Sequence, residues 1–474
     1  MQFKNKDMAT KKYLSRRNFI AKAGMAGLGA GLLASPVFSL RSLANSSFSK
    51  LNTEGGGYKA MVCVLLEGGS DSFNMLIPRG NTEYNEYATT RSNLAIPQNE
   101  LLSINPLNND GKLYGLHPQM PEIKNLFNNG QLSFISNVGT LVEPISKTEF
   151  WDGSVPVPLG LFSHADQIQQ WQSGRPFERT PIGWGGRISD LMSPLNTNQT
   201  IPMSVSLSGN NVYQHGVDTI EFAINQDGSA GIVGYDNDWA YNEIRSSALD
   251  AMFNQPHNDP YKSTYVSTLK NANNAGIEFS QAIENVGEFT TEFSDNELSQ
   301  KFKMIAKTIA AREDMGFEKQ IFFIQFSGWD HHDDVLNQMN IMLPELSLAL
   351  GEFNSVMNEI GTDNDVTTFT ISDFGRTLTS NGNGSDHAWG GNAMVMGGAV
   401  NGQKRFGNFP SLQLGNAIDV GDGVLIPQIS TDEYLAEIAM WFGVENDDVS
   451  NIFPNLSSFY DINSSNPPIG FLNF

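Results

Sequence analysis

The sequence predicts an α/β layered fold with a mainly parallel central sheet. Six short apolar runs are continuous rather than alternating, which is the pattern of strands buried on both faces. Helical patterns lie between these runs, and such alternation is typical of layered α/β domains. The predicted strands are Ala60–Leu66, Leu132–Ser136, Met203–Leu207, Gln320–Phe326, Val366–Ile371 and Ala393–Met396.

Four helices are predicted between and after these strands. His164–Gln172 follows Ser163, a natural N-cap residue, and stops at Gly174. The longest helix, Val335–Ile360, contains Pro344, which predicts an interruption or kink at that point. The other two helices are Pro118–Phe127 and Thr431–Phe442.

Residues 209–316 break the alternation of strands and helices. A segment rich in glycine and asparagine is followed there by two helical runs, Lys262–Asn285 and Asn296–Arg312. We expect this region to be an insertion or cap packed against the main sheet. Residues 45–474 would then form one large α/β domain.

The composition is that of a globular, acidic protein. Hydrophobic residues make up 40% and charged residues 17% of the chain, which is enough for a substantial core. The formal net charge of −22 argues against binding to nucleic acid or to an anionic membrane surface, because both require a cationic face. Cys63 is the single cysteine, so the chain cannot form an intramolecular disulfide.

The first 44 residues are predicted to be a twin-arginine export signal. Arg16 and Arg17 stand in the spacing Ser-Arg-Arg-x-Phe-x-x-Lys, and the uncharged run Ala23–Ala34 follows. Ser42-Leu43-Ala44 resembles a signal-peptidase site. The partner during export would be the twin-arginine translocase, and the mature protein would be periplasmic or extracellular, without a membrane anchor. A chance Arg-Arg pair before an apolar helix is the alternative.

Polar side chains follow three of the predicted strands at their carboxyl ends. Asp71 follows the first strand and Asp373 follows the fifth. Asp330 and His332 follow the fourth strand, and the pair Asp386-His387 comes shortly before the last. Because ligands in open α/β sheets bind beyond the carboxyl ends of the strands, we expect these groups to share one crevice.

Such a mixture of carboxylates and imidazoles predicts a metal site. It suits zinc, manganese or iron better than magnesium alone. A bound cation would also remove the repulsion between converging carboxylates. Each motif alone fits an ordinary turn or helix cap, so the prediction depends on their convergence. The candidate ligands are Asp71, Asp330, His332, Asp373, Asp386 and His387.

Five motifs occur together in the order of one exported bacterial family. They are Gly68-Gly69-x-Asp71, Ser163-His164, Gly328-Trp329-Asp330-x-His332, Ser372-Asp373-Phe374-Gly375-Arg376-Thr377 and Asp386-His387-x-Trp389-Gly390-Gly391. With them the chain resembles domain of unknown function 1501, a family whose members typically carry a twin-arginine signal. That family is similar to the alkaline phosphatase superfamily, which includes phosphatases, phosphodiesterases, sulfatases and phosphomutases. The resemblance implies an α/β/α sandwich with a metal centre at the carboxyl ends of the strands.

The resemblance also implies roles for the metal ligands. Asp71 looks like the ligand of the first strand, and His387 looks like the final histidine ligand. Asp330 with His332 resembles the pair that binds one metal, and Asp373 resembles the ligand of the next strand. The superfamily usually has a histidine where Phe374 stands, so a one-metal or remodelled site is an alternative to a two-metal site.

The catalytic groups are implied in the same way. Ser163 opens a predicted helix, whose N-terminus favours an oxyanion, and it is the candidate nucleophile. Ser70 and Ser72 are alternatives to it, and a plain N-cap role is another reading of Ser163. His164 or His331 would donate a proton to the leaving group. Arg376 would clamp a phosphate or sulfate, or would pair with an acidic neighbour.

The function expected from these features is an exported metal-dependent hydrolase of phosphate or sulfate esters. Its cofactor would be a divalent metal such as zinc, manganese, iron or calcium, and its substrate a small-molecule or glycan ester. The alternative is a non-catalytic exported binding or assembly protein that keeps the fold. Convergence of the candidate ligands beside an open pocket would favour the enzyme.

Overall fold

A ten-stranded sheet forms the centre of the computed structural model, which describes residues 57–108, 110–229, 231–232, 235 and 240–474. The predicted export signal, residues 1–44, lies outside the described residues. The strands, numbered along the chain, are β1 (Lys59–Glu67), β2 (Leu76–Pro78), β3 (Leu102–Ile104), β4 (Tyr114–Leu116), β5 (Leu132–Gly139), β6 (Ser204–Ser206), β7 (Phe222–Asn225), β8 (Gly228–Ser229), β9 (Lys319–Ser327), β10 (Val366–Ser372), β11 (Gly391–Met396), β12 (Arg405–Phe406) and β13 (Ile429–Ser430).

The central sheet has the strand order β12-β5-β11-β10-β1-β9-β6-β7-β8, and β13 pairs with β5. Its middle is parallel as predicted: β1 runs parallel to both of its neighbours, β9 and β10. β6 in turn runs parallel to β9. The parallel orientation expected for the last predicted strand is wrong, since β11 is antiparallel to both β10 and β5. Residues 373–390 join β10 to β11 without a helix, and a parallel return would need a crossover. The three remaining strands form a small antiparallel sheet, in the order β2-β4-β3.

Helices cover the sheet on both faces. The helices are α1 (Asn81–Arg91), α2 (Pro121–Asn128), α3 (Lys147–Asp152), α4 (His164–Ser173), α5 (Trp184–Met192), α6 (Ala240–Phe253), α7 (Pro260–Glu284), α8 (Glu297–Ala310), α9 (Val335–Glu359), α10 (Thr431–Phe442) and α11 (Asn446–Ile452). One group, α2, α8 and α9, packs together and touches β5 and β9. A second group, α4, α5, α10 and α11, touches β1, β9 and β10. Between these groups every residue from Ala60 to Leu66 is at most 2% exposed, as the apolar run predicted.

These layers confirm the predicted α/β sandwich with a mainly parallel sheet. The predicted helix start at Ser163 is also correct, since its hydroxyl oxygen accepts from the Asp166 amide and Gly174 ends α4 in a left-handed conformation. Of the two alternatives predicted at Pro344, the interruption is wrong, because α9 continues through that residue, and the kink stays a prediction. The core that buries 12 of the 25 residues of α9 holds the helix together despite the lost backbone donor.

Residues 209–316 contribute to the sheet as well as to its cover. β7 pairs with β6 in parallel, so this segment extends the sheet at one edge. α8 packs against α9 as part of a covering layer. A role of this region as a cap over the site stays a prediction.

Three neighbouring strands end at the same level of the sheet. Leu66 of β1 pairs with Phe326 of β9 and with Ser372 of β10. The loops that follow these strands therefore meet at one point. Gly68 makes this approach possible: its φ is 119°, and a Cβ there would lie 2.4 Å from the Asp330 nitrogen.

A buried carboxyl group in α10 makes the stability of this fold depend on pH. Asp432 is 0% exposed, and neither of its carboxyl oxygens has a hydrogen-bond partner in the described structure. Burial raises its pKa to about 7; the nearby Glu433 charge acts in the same direction and the Arg175 charge opposes it. Between about pH 4 and this value the unfolded chain releases a proton that the folded state keeps.

The free energy of unfolding is therefore expected to fall as the pH rises through this range, by up to about 1.4 kcal/mol per pH unit from this group. Urea unfolding at a series of pH values measures the slope. Asp432→Asn should remove this contribution, whereas Asp447→Asn, at an exposed position of α11, should leave it in place. An unchanged slope in Asp432→Asn would contradict the assignment.

Across the described ranges, no helix combines the length and the apolar character that a membrane span requires.

Candidate metal centre

Four side chains converge beyond the carboxyl ends of the central strands. His164, Asp330, His332 and His387 each direct one ligand atom to a common point, and these atoms lie within 4.8 Å of one another. His387 Nε2 is 3.0 Å from His164 Nε2 and 2.9 Å from His332 Nε2. Asp330 Oδ1 is 3.1 Å from His332 Nε2, 3.5 Å from His164 Nε2 and 3.7 Å from His387 Nε2.

The spacing of these atoms fits a single tetrahedral ion. Zinc bound to nitrogen and oxygen at about 2.0–2.1 Å holds its ligand atoms about 3.3 Å apart. Five of the six separations among these atoms are 2.9–3.7 Å and bracket that value, and all six are within 4.8 Å. Three imidazoles with one carboxylate are also a donor set that zinc and other transition ions prefer.

Each histidine ring is held at its other nitrogen. His164 Nδ1 is 2.6 Å from Asp373 Oδ2, and His332 Nδ1 is 2.9 Å from Asp386 Oδ1. His387 Nδ1 is 2.8 Å from the Phe162 carbonyl oxygen. Because these three partners accept hydrogen bonds, each Nδ1 carries the proton and each Nε2 presents a lone pair to the centre. The His387 Nε2 lone pair thus lies about 3 Å from those of His164 and His332, which is unfavourable unless a cation lies between them, and this arrangement is typical of histidines that ligate a metal.

The backbone of Phe162 is strained where it serves this centre. Its φ of 72° lies in the left-handed region, which bulky residues rarely adopt. The Gln167 side chain holds this conformation: its Oε1 accepts from the Phe162 amide at 2.6 Å and its Nε2 donates to Thr140 Oγ1 at 3.1 Å. Gln167 is 0% exposed. It therefore fixes the carbonyl that orients His387.

Gln167→Leu is expected to lower zinc affinity about 10–100-fold, the usual cost of losing a group that orients a ligand. Competition with a chromophoric chelator measures the dissociation constant. Gln172→Leu is the matched control on α4, because Gln172 accepts from the Tyr213 amide rather than from a residue of the centre. Equal losses in the two variants would assign the effect to packing of α4 instead.

Phe374 packs against the centre from the sheet side. Its ring centroid is 4.8 Å from that of His164 and 4.6 Å from that of His387. Gly69 makes room for it, since a Cβ there would lie 2.6 Å from the Phe374 ring. The position where the superfamily has a histidine thus carries an apolar wall that keeps water from one side of two rings.

Arg376 ties together the loops of the centre. The guanidinium is 0% exposed, and its Nε donates to the Gly69 carbonyl at 2.8 Å. Its Nη1 donates to the Ser385 carbonyl at 3.0 Å, and its Nη2 donates to the Gly68 carbonyl and to Asp330 Oδ1. A guanidinium so enclosed binds backbone and Asp330 rather than an incoming anion.

Burial, hydrogen bonds and neighbouring charges together shift the pKa values of the acids and bases of the centre. Partial burial acts to raise the pKa of Asp330, but hydrogen bonding and charge from Arg376 outweigh it, and the pKa is lowered. Burial raises the pKa of Asp373 despite its hydrogen bonds from Gly68 and His164. Burial also lowers the pKa of His387, and the neighbouring His164 and Arg376 add to this effect. The neutral imidazole that ligates a metal is thus favoured at His387.

Of the six predicted ligands, the structure brings Asp330, His332 and His387 into the cluster. Asp373 and Asp386 bind histidine rings there instead of pointing an oxygen at the common centre. Asp71 lies apart from the cluster: it is 0% exposed, and its Oδ2 accepts from Arg91 Nη2. As a metal ligand Asp71 stays a prediction that the described geometry does not support.

The predicted catalytic residues are distributed differently. His164, expected to donate a proton, stands in the ligand cluster. The Ser163 hydroxyl caps α4 and accepts from the Asp166 amide at 3.5 Å, the alternative role considered for it. His331 is 4% exposed, and its ring nitrogens have no hydrogen-bond partner among the described residues.

Three groups at the centre were not predicted from the sequence. The Phe162 carbonyl could not be found, because a positive φ leaves no signal in a bulky side chain. Asn381, which donates to Asp386 Oδ1 at 2.9 Å, stands in an ordinary asparagine-glycine segment. Arg91 closes a helix 20 positions after Asp71, and only the tertiary fold pairs them.

Three solved structures align with much of the chain. The PsFucS1 sulfatase from Pseudoalteromonas sp. matches at 13% identity and a TM-score of 0.33, covering 86% of this chain and 72% of that one. The lipooligosaccharide phosphoethanolamine transferase A (EptA) from Neisseria meningitidis matches at 10% identity and a TM-score of 0.33, covering 90% of this chain and 68% of that one. The lipoteichoic acid synthase LtaP from Listeria monocytogenes matches at 8% identity and a TM-score of 0.30, covering 78% of this chain and 74% of that one. Likeness at this level says nothing of activity.

A search of curated proteins found no significant match to this chain. The model of one family does match, over residues 241–428, and its description is "Protein of unknown function (DUF1501)". The matched region includes Asp330, His332, Arg376 and the pair Asp386-His387, whereas His164 lies before it. The resemblance recognised in the motifs is thereby confirmed over residues 241–428, where the chain is similar to the DUF1501 proteins.

Proposed function

We propose that this protein is an exported, metal-dependent hydrolase of phosphate or sulfate esters. The observation that carries the proposal is the convergence of three imidazole Nε2 atoms and the Asp330 carboxylate on one point open to solvent. The side chains of His164, His332 and His387 are 31%, 43% and 27% exposed, so a substrate can reach them. Export rests on the twin-arginine motif around Arg16 and Arg17, and the translocase would be the partner for that step alone.

The donor set supports one transition-metal ion per chain. Zinc suits three nitrogens and one oxygen best, and manganese or iron comes next. Calcium suits it least, because calcium takes six to eight oxygen ligands. A second ion is not needed to balance Asp71, since the buried Arg91 guanidinium already supplies the positive charge at that carboxylate.

The chemistry follows from what the residues hold in place. A divalent ion at the centre supplies a Lewis acid that polarises an ester oxygen. Asp373 and Asp386 keep two of the histidines in the tautomer that leaves Nε2 free, and Phe374 shields two rings from water. Because the Ser163 hydroxyl caps α4, water is the better candidate nucleophile. Its oxygen would bond to phosphorus or sulfur while the bond to the alcohol oxygen breaks, and one of its protons would end on that alcohol.

A non-catalytic role has one observation in its favour. The three histidines and Asp330 together can fill all four positions of a tetrahedral ion, as in closed structural sites. Arg376 opposes this closure, because its Nη2 already binds Asp330 Oδ1. If Asp330 stays with Arg376, the ion keeps an open position for substrate, whose class would be a small-molecule or glycan ester.

The test is metal content and ester cleavage of the full chain purified without chelator. We expect about one zinc, manganese or iron ion per chain by plasma mass spectrometry. Chelator-sensitive release of 4-nitrophenol is expected from 4-nitrophenyl sulfate or bis(4-nitrophenyl) phosphate. His332→Ala and His387→Ala should lose both metal and activity. His215→Ala, at a 42% exposed histidine outside the cluster, should keep both.

Two other outcomes decide against the proposal. Stoichiometric metal without turnover of any ester would favour the binding or assembly protein. Folded protein that stays metal-free after incubation with these ions would reject the metal centre itself.

A further inference from the structure

We infer that the centre selects esters that carry one negative charge, such as sulfate monoesters and phosphate diesters, over dianionic phosphate monoesters. The inference rests on the proposed function and names the charge class of its substrate. It depends on which charged groups at the centre remain accessible to an incoming anion.

The loops that build the centre offer no free cation. Residues 67–74, 160–166, 327–334 and 372–392 contain a single lysine or arginine, Arg376. That guanidinium is 0% exposed and donates to four loop carbonyls, those of Gly68, Gly69, Trp329 and Ser385, and to Asp330. Its Nη1 also lies 3.5 Å from His332 Nε2. No fork of N–H groups is left for a substrate.

The arginines next to these loops are committed as well. Arg91 is 0% exposed and is held by Asp71 and by the Thr377 carbonyl. Arg179 is 65% exposed, but its Nε pairs with Asp166 at 2.6 Å. Enzymes that bind dianionic phosphate commonly hold it with an accessible, bidentate arginine. Arg91 and Arg376 are buried and cannot act in this way, and the charge of the exposed Arg179 is offset by its partner Asp166.

Carboxylates, in contrast, are accessible at the rim. The side chains of Asp386 and Asp330 are 57% and 48% exposed. Asp333, next to the ligand His332, is exposed and binds Asn383 Nδ2 at 2.5 Å. The exposed side-chain charges on these loops are therefore negative.

The charge balance of the loaded centre decides between substrates. The carboxylates of Asp330, Asp373 and Asp386 are offset by Arg376 and one divalent ion, so the centre is neutral before substrate binds. A monoester dianion leaves two uncompensated charges beside the rim carboxylate of Asp333, and a monoanion leaves one. As an order of magnitude from Coulomb's law, one additional unit charge roughly 8 Å from a carboxylate costs about tenfold in affinity at an intermediate effective dielectric.

The test compares three esters with one leaving group on the zinc-loaded full chain at about pH 8, where phosphate monoesters are dianions. They are 4-nitrophenyl sulfate, bis(4-nitrophenyl) phosphate and 4-nitrophenyl phosphate. Each kcat/KM is divided by the uncatalysed rate constant of the same ester, which removes intrinsic reactivity. We expect the quotient for the better of the two monoanionic esters to exceed that for the dianionic ester at least tenfold. Comparison of the sulfate with the phosphate diester shows which monoanion is preferred. An equal or higher quotient for the dianion would overturn the inference.

Two variants with the same change in net charge locate the effect. Asp333→Lys should raise the quotient for the dianion about a hundredfold relative to that for the monoanion, because it replaces a negative charge, which costs about tenfold, with a positive one that gains about as much. Glu318→Lys should leave this ratio unchanged. Glu318 is exposed just before the amino end of β9, whereas the centre lies beyond the carboxyl end of that strand. Equal effects of the two variants would overturn a local origin of the selection.

Binding provides a readout that does not depend on turnover. Phenylphosphonate, a dianion at this pH, is titrated into the zinc-loaded protein by calorimetry at increasing ionic strength. Its affinity should rise with salt, since salt screens the rim carboxylates, and Asp333→Lys should reverse the trend. An affinity that falls with salt in the unmodified protein would reveal a cationic clamp and overturn the inference. Failure of all three esters would instead reject the proposed function, while the salt dependence still decides the charge selection.

Discussion

Arg91→Met is expected to lower the free energy of unfolding by about 3–5 kcal/mol, because it leaves the Asp71 carboxylate charged and unpaired in the interior. Both side chains of this ion pair are 0% exposed. Arg91 Nη1 also donates to the Thr377 carbonyl at 2.9 Å, so the loop after β10 loses a support. Urea unfolding of the zinc-loaded protein measures the effect.

A double-mutant cycle separates the pair from its surroundings. Removing both charges, in Arg91→Met with Asp71→Asn, should recover at least half of the loss, since a buried pair is costly mainly when one partner remains. Asp71→Asn alone should leave zinc content at one ion per chain if Asp71 is not a ligand. Loss of the ion in this variant would restore Asp71 to the role that its place after β1 suggested.

Arg376→Met is expected to destabilise the fold by a similar amount, about 3–5 kcal/mol, and to weaken zinc binding at least tenfold. The change leaves four loop carbonyls and the Asp330 carboxylate without their donor. The Trp329 and Ser385 carbonyls belong to the loops that carry Asp330, His332 and His387, and the Gly68 and Gly69 carbonyls belong to the neighbouring loop after β1. Chelator competition and urea unfolding measure the two effects.

Arg376→Lys tells charge from geometry. Lysine keeps the positive charge beside Asp330 but cannot donate in five fixed directions. We expect Arg376→Lys to recover less than half of the free energy of unfolding that Arg376→Met loses. We also expect it to bind zinc nearly as weakly as Arg376→Met. Full recovery of zinc affinity in the lysine variant would show that the charge alone supports the centre.

The strands were predictable because each is a continuous apolar run between turn residues. β1, for example, agrees with its predicted bounds to one residue at each end. The orientation of β11 was not predictable, because an apolar run has the same composition in either direction. Its direction follows from a connection of 373–390 without a helix, which the sequence pattern alone does not reveal.

The centre was predictable as a set of loops but not as a set of roles. Asp330, His332 and His387 lie in the cluster as expected. A shift of a few ångströms decides whether a carboxylate faces the common point or binds a histidine ring. Asp373 and Asp386 bind histidine rings. Backbone groups such as the Phe162 carbonyl carry no residue-type signal at all.

The ligands of this centre come from places far apart along the chain, and this sets the order of assembly. His164 and His387 are 223 positions apart, yet their Nε2 atoms lie 3.0 Å from each other. Closing so long a loop is entropically unfavourable and is repaid only when the intervening strands have paired. At the proposed metal centre, high-affinity uptake of an ion would therefore report completed folding. A partly folded chain offers the ion scattered histidines, and a chelator applied before folding should delay loading without preventing the sheet from forming.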